Sequence, residues 1–215
     1  MINILPLSDT LHRIESTKLV KQKHNFAIST LQLSEKEVYL YPKNQRKEME
    51  SFYRTHAYLV EHTNAPVRRD LMDEINWGDR LIGIKGTRGV GKTTFLLQYA
   101  KEKFGTDRSC LFINMNNFYF SGHSLVDFAN EFQRRGGKVL LIDQVFKHPD
   151  WSKELRMCYD RFPNLKIVFT GSSVMRLKEE NLELCDIVKS YNLRCLSFRE
   201  FLNLQTGMKF RAYSL

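Results

Sequence analysis

The run Gly86-Thr87-Arg88-Gly89-Val90-Gly91-Lys92-Thr93 constrains this chain more than any other stretch. It fits G-x-x-x-x-G-K-[ST], the phosphate-cradling loop known as Walker A. Gly86, Gly89 and Gly91 let the backbone curl so that successive N–H groups converge on one anion. Lys92 places a point charge on the β- and γ-phosphates of a nucleotide, and the Thr93 hydroxyl suits Mg²⁺. A helix beginning here turns its positive end toward the same phosphates. The flanks agree. Residues 81–85, Leu-Ile-Gly-Ile-Lys, read as a short buried strand. Residues 93–104 read as a helix with Phe95, Leu96, Tyr99 and Ala100 on one side.

Downstream, apolar runs alternate with helical patterns. Strands are expected over 109–114, 138–142 and 165–169, and a fifth near 191–196. Ser124 caps a helix reaching Arg135, where Gly136-Gly137 stops it. Further helices are expected over 151–161 and 198–204, with a helix-like segment after the fourth strand. This alternation gives β-α-β units, a parallel sheet and helices on both faces. Ligands of such sheets sit beyond the carboxyl ends of the strands. The loop at Gly86, the aspartate at 143 and the Thr170-Gly171-Ser172-Ser173 run all fall at such ends.

Upstream of the loop the pattern is weaker. Helices are expected over 8–21 and 46–61, a second short element over 31–41, and a helical piece over 68–75. Trp77, in the turn before the first strand, reads as a packing anchor. The division expected is a helical N-terminal extension over 1–65 and a nucleotide-binding domain over 66–215.

The chain has 215 residues, enough for one α/β domain with an extension. No apolar run approaches the roughly 18 residues that span a bilayer, and the first residues lack a basic signal-peptide start. A cytoplasmic location without membrane contact is therefore expected. The four cysteines form no C-x-x-C pair and read as reduced thiols in apolar settings rather than zinc ligands. A formal net charge of +9 suits a phosphate-bearing partner, whether nucleotide, nucleic acid or anionic surface.

Val139-Leu140-Leu141-Ile142-Asp143 is an apolar strand ending in a carboxylate, the Walker B pattern. Asp143 is expected to hold Mg²⁺ opposite Thr93. In most ATPases of this layout a glutamate follows and polarises the attacking water. Here the next residue is Gln144, whose amide cannot take a proton. Loss of a general base costs about 10² to 10⁴ in rate, so slow turnover is expected. The sequence contains no Asn-Lys-x-Asp segment to read guanine, which favours ATP over GTP. A small-molecule kinase would need a basic lid segment after the fourth strand, and none stands there.

Four motifs in order resemble one family. Residues 79–94 resemble the opening of the prokaryotic AAA-type P-loop ATPases, the AAA domain ATPases. Asp143-Gln144-Val145 with Pro149-Asp150-Trp151 is similar to the Walker B stretch and Pro-x-Trp of that family. Phe169 to Ser173 is similar to its sensor strand, and Leu196 to Leu202 to its closing helix. The resemblance covers about residues 47–209. It implies a P-loop three-layer sandwich with a mainly parallel five-stranded sheet, ATP and Mg²⁺ as ligands, and Ser172 or Ser173 beside the γ-phosphate. The departures are Gln144 for glutamate, Phe146 for histidine, Asn116 near a usual aspartate, and no arginine over 183–186, where the family carries an arginine pair. Arg176 and Arg194 are the nearest substitutes. The family normally continues into a winged-helix-like region and a further domain, so the expectation is a divergent or truncated member.

The site expected is therefore Gly86, Thr87, Arg88, Gly89, Val90, Gly91, Lys92, Thr93 and Thr94 on the nucleotide, Thr93 and Asp143 on the metal, and Lys92, Gln144 and Ser172 in catalysis. The function expected is weak Mg-dependent ATP hydrolysis. The alternatives are a non-hydrolysing nucleotide switch or a DNA-associated module. A homo-oligomer, or a nucleic-acid or protein partner engaged through the family's other domains, is compatible with either.

Overall fold

The structure, a computed structural model, describes residues 47–172, 181–208 and 210. The helices expected over 8–21 and at 31–41, and most of the segment after the fourth strand, lie outside the described residues. The elements are α1 (47–62), α2 (Leu71–Glu74), β1 (Leu81–Gly86), α3 (Lys92–Lys103), β2 (Cys110–Asn114), α4 (Leu125–Arg134), β3 (Val139–Asp143), α5 (Trp151–Arg161), β4 (Lys166–Ser172), β5 (Lys189–Asn192) and α6 (Phe198–Thr206). Single 3₁₀ turns follow β2 and β3, at Phe118–Ser121 and Val145–Lys147.

The strands form one five-stranded sheet in the order β2-β3-β4-β1-β5, and every pairing is parallel. The long crossover from central β1 to edge β2 puts α3 on one face. The returning steps to β3 and β4 put α4 and α5 on the other, as right-handed connections require. Sheets covered on both faces need apolar runs rather than alternation, and β3 is buried at all five positions. On the α3 side, Phe95, Leu96, Tyr99 and Ala100 bury against Ile82, Ile84, Phe112 and Leu141. Trp77 does serve as packing: it stacks on Tyr99 with centroids 3.6 Å apart, and its indole N–H donates to Met72 O.

Local signals set the start of α4 and both ends of α6. Ser124 Oγ accepts from Val126 N–H at the start of α4. Ser197 and Glu200 form a reciprocal capping box on α6, which ends at Gly207 with φ +67°. At the far end of α5, Arg80 donates to Tyr159 O and Phe162 O and lies 4.0 Å over the Tyr159 ring, tying orphan helix carbonyls to the entry of β1.

Glu50–Leu215 forms one compact unit. The α1 residues 50–62, which the sequence reading assigns to an extension ending at 65, fall within it. Phe52 contacts Phe120 and Phe128, and Tyr53 contacts Phe132. His56 Nδ1 accepts from Phe112 N–H at 3.0 Å, closing the outward edge of β2. Two other expectations shift. The helical piece at 68–75 shortens to Leu71–Glu74, and β5 occupies 189–192 rather than 191–196. Cys110 and Cys158 are buried thiols whose pKa burial pushes up to about 12. Cys185 and Cys195 are exposed instead of lying in the apolar setting expected. Among the described residues, no helix is long and apolar enough to cross a membrane.

The His56 contact has a pH signature. The ring is 1% exposed, and burial lowers its pKa from 6.5 to about 4. The unfolded chain takes up the proton near pH 6.5, while the folded chain resists until about pH 4. The His56 contribution is thus complete above pH 6.5 and declines as the pH falls, by about 3 kcal/mol at pH 4. Urea unfolding of the chain and of His56→Gln across this range checks it. The acid loss of stability is expected to shrink in the variant.

Candidate functional site

The Walker loop leaves the carboxyl end of β1 between β4 and β5. Its first glycine is dictated by close approach. A Cβ on Gly86 would lie 2.6 Å from Leu193 O, in the chain leaving β5, and 2.9 Å from Val90 Cγ1. Gly91 caps α3 at φ +94°, a left-handed conformation that lets the loop turn directly into the helix. The N–H groups of Lys92, Thr93 and Thr94 open the first turn of α3 without backbone acceptors, the arrangement that draws anions to helix N-termini. Lys92 Nζ donates to Gly86 O and Thr87 O, both at 2.8 Å, and so braces the loop. Burial pushes the Lys92 pKa down, and the Asp143 carboxylate opposes that shift.

Opposite the loop, Asp143 ends β3 with 1% exposure. Its carboxylate accepts from Thr93 Oγ1 at 2.8 Å, from Asn114 Nδ2 at 3.1 Å and from Thr170 Oγ1 at 2.6 Å. The residues come from α3, β2 and β4, so three elements aim donors at one buried charge. Asn114 sits directly across from Asp143 in the β2–β3 register. Thr170 Oγ1 also accepts from Gln144 N–H at 3.0 Å. Gln144 itself holds φ +56°, rare for a residue with a Cβ, and starts the 3₁₀ turn.

A cleft of about 640 Å³ collects these groups. Of the residues expected, Gly86, Arg88, Gly89, Gly91, Lys92, Thr93, Thr94, Asp143, Gln144 and Ser172 line it. Thr87 and Val90 belong to the loop without lining the cleft: Thr87 O receives Lys92, and Val90 O receives Arg69. Ser173 and Arg176 lie outside the described residues. Arg194 is exposed and does not line the cleft.

Three contributors escaped the sequence reading, Asn114, Lys147 and Arg69, and Thr170, expected only at a strand end facing the site, gains a role. Asn114 and Thr170 hold Asp143, as above. Lys147 lines the cleft beside Phe146, which appears in the sequence only as a departure from a family pattern. Arg69, 12% exposed at its side chain, donates to Val90 O and Arg194 O and pairs with Glu200 Oε1 at 3.0 Å. It therefore ties the loop to α6. Burial would raise the Glu200 pKa, but N–H donors from Ser197 and Asp70 together with Arg69 outweigh it and hold the carboxyl below its ordinary range. The capping-box spacing Ser197-x-x-Glu200 was the only local sign of this cluster.

Residues 78–202 match the family model described as "AAA domain". The chain belongs to the AAA domain family. Membership makes it an AAA-type, ATP-binding protein. The C. elegans PCH-2 structure is similar at 20% identity, over 70% of this chain and 42% of that one, with a TM-score of 0.40. A search of curated proteins finds no match.

The donor set suits a hard divalent ion. The Thr93 hydroxyl and the Asp143 carboxylate lie 2.8 Å apart at the mouth of the loop, and both are oxygen ligands of the kind Mg²⁺ takes. No group of three or more His, Cys, Asp or Glu able to hold a metal occurs among the described residues.

Proposed function

We propose that this AAA domain binds ATP with Mg²⁺ and hydrolyses it slowly. The observation that carries the reading is the hydrogen bond between Thr93 Oγ1 and Asp143 Oδ2, which joins the phosphate loop to the end of β3. In this reading the backbone from Gly86 to Thr94 cradles the phosphates. Lys92 exchanges its two loop carbonyls for phosphate oxygens. Thr93 and Asp143 hold the ion, and Ser172 at the end of β4 faces the terminal phosphate. Mg²⁺ held by Thr93 and Asp143 would supply positive charge to offset that of the phosphates.

Gln144 orients the attacking water through its amide but takes no proton, so turnover is slow. A second reading, a nucleotide-held switch without turnover, draws on the same residue. Single-turnover hydrolysis with the protein in excess separates the two. A cytoplasmic site of action and self-assembly around the nucleotide belong to this proposal as well.

Mg-ATP binding measured calorimetrically on the chain and on Lys92→Ala tests the core of it. Removing the ammonium is expected to weaken binding about 10²-fold, the loss of one or two charge-assisted hydrogen bonds. Equal affinity in the two proteins would overturn the assignment of this loop to phosphate.

A further inference from the structure

We propose that Lys147 is a cis-acting cation for the terminal phosphate of the bound nucleotide. The proposal rests on the ATP reading above and adds a residue to it. The turn Val145–Lys147 is anchored at both ends. Val145 is wholly buried, and Lys147 N–H donates to Gln144 O at 2.9 Å. His148, 6% exposed, sets its Nε2 3.1 Å from Glu154 Oε2, and Glu154 also accepts from Leu125 N–H at the start of α4. Between these anchors only Phe146 and Lys147 are exposed, and both line the cleft. The turn thus presents two side chains to the cleft from just beyond the carboxyl end of β3.

The charges lining the cleft are Arg88, Lys92 and Lys147 against the single carboxylate of Asp143. That carboxylate is already engaged by three neutral donors. Lys147 has no carboxylate partner among the described residues; its ammonium lies 5.8 Å over the Phe146 ring. An ammonium without a carboxylate partner among the described residues, on a side chain lining the same cleft as Gln144 and Ser172, is placed for a polyanion. The position next to Gln144 is the water side of the site, where charge on the γ-phosphoryl oxygens spreads in the transition state. Hydrolysis there forms a P–O bond to water and breaks the bond from the γ-phosphorus to the bridging oxygen. ADP leaves with that electron pair, and the water proton passes to phosphate or solvent.

A cation on the γ-phosphate separates ATP from ADP, whereas Lys92 and the loop hold both. The experiment uses the full chain, Lys147→Met and Lys147→Arg, titrated with Mg-ADP and with a non-hydrolysable Mg-ATP analogue. Lys147→Met is expected to bind ADP within about twofold of the parent and the ATP analogue about tenfold or more weakly. Lys147→Arg is expected to restore the analogue. In Gln144→Glu protein, where turnover is faster, the Met change is expected to lower kcat about tenfold or more. An unchanged ATP-to-ADP affinity ratio in the Met variant overturns the proposal and leaves the nucleotide site standing. Failure of the parent chain to bind either nucleotide overturns the ATP reading and this one with it.

Discussion

Replacing Gln144 by glutamate is expected to raise the single-turnover rate of ATP hydrolysis about 10²- to 10⁴-fold, the range a positioned general base supplies. The change is nearly isosteric and leaves the backbone where it is. Gln144 holds its left-handed conformation because its N–H donates to Thr170 and its carbonyl accepts from Lys147 N–H. Neither bond uses the side chain. The side chain lines the cleft next to Asp143, where a carboxylate could take a proton from a water in the cleft. Nucleotide affinity is expected to stay within about threefold, because the base acts only as the transition state forms. Radiolabelled ATP with the protein in excess, with and without Mg²⁺, reads both quantities. If the glutamate form binds ATP and still fails to turn over, the limit is not the missing base, and the chain is a nucleotide-held switch.

Thr170→Val is expected to be the most destabilising substitution of similar shape in the site. The hydroxyl is fully buried and works twice: it donates to Asp143 Oδ1 at 2.6 Å and accepts from Gln144 N–H at 3.0 Å. Valine keeps the volume and strands both partners. A hydrogen bond to a charged group contributes about 1.5–3 kcal/mol, and an orphaned buried N–H costs about 1–3 kcal/mol. A net loss of about 3 kcal/mol lowers Tm by about 6–12 °C in a domain of this size. Thr170→Ser, which keeps the hydroxyl, is expected to lose far less. Thermal melts of the three proteins decide it. A valine variant melting within about 2 °C of the parent would show that Asp143 is held by Thr93 and Asn114 alone. The same variant should lose much of its hydrolysis, because the one hydroxyl fixes both Asp143 and the backbone of Gln144.

The site was partly legible for a physical reason. A phosphate loop is built from consecutive residues, so its glycines, Lys92 and Thr93 announce themselves by type and spacing. The end of β3 is equally local: four apolar residues and then a carboxylate. What holds that carboxylate is not local. Asn114 and Thr170 are ordinary strand-end residues in the sequence, and they become its donors only because β2 and β4 flank β3 in the sheet. Lys147 looks like any solvated lysine until the turn anchored by Val145 and His148 carries it into the cleft.

The sequence by itself determined the parallel α/β class, the elements with strong apolar periodicity or caps, and the position of the loop. Each of these follows from interactions within a few residues. The tertiary structure decided the rest. The strand order is set by which crossovers bury the most apolar surface, and that sum runs over the whole sheet. The residues of β5, Lys189-Ser190-Tyr191-Asn192, show no apolar run of their own and take strand form because β1 offers them a partner edge and Tyr191 packs on the core. The α1 helix joins the ATP-binding unit because Phe52, Tyr53 and His56 meet α4 and the open edge of β2. Arg69 and Glu200 meet across 131 positions of chain. Local periodicity carries no information about contacts of that range, because their energy exists only once the intervening sheet has formed.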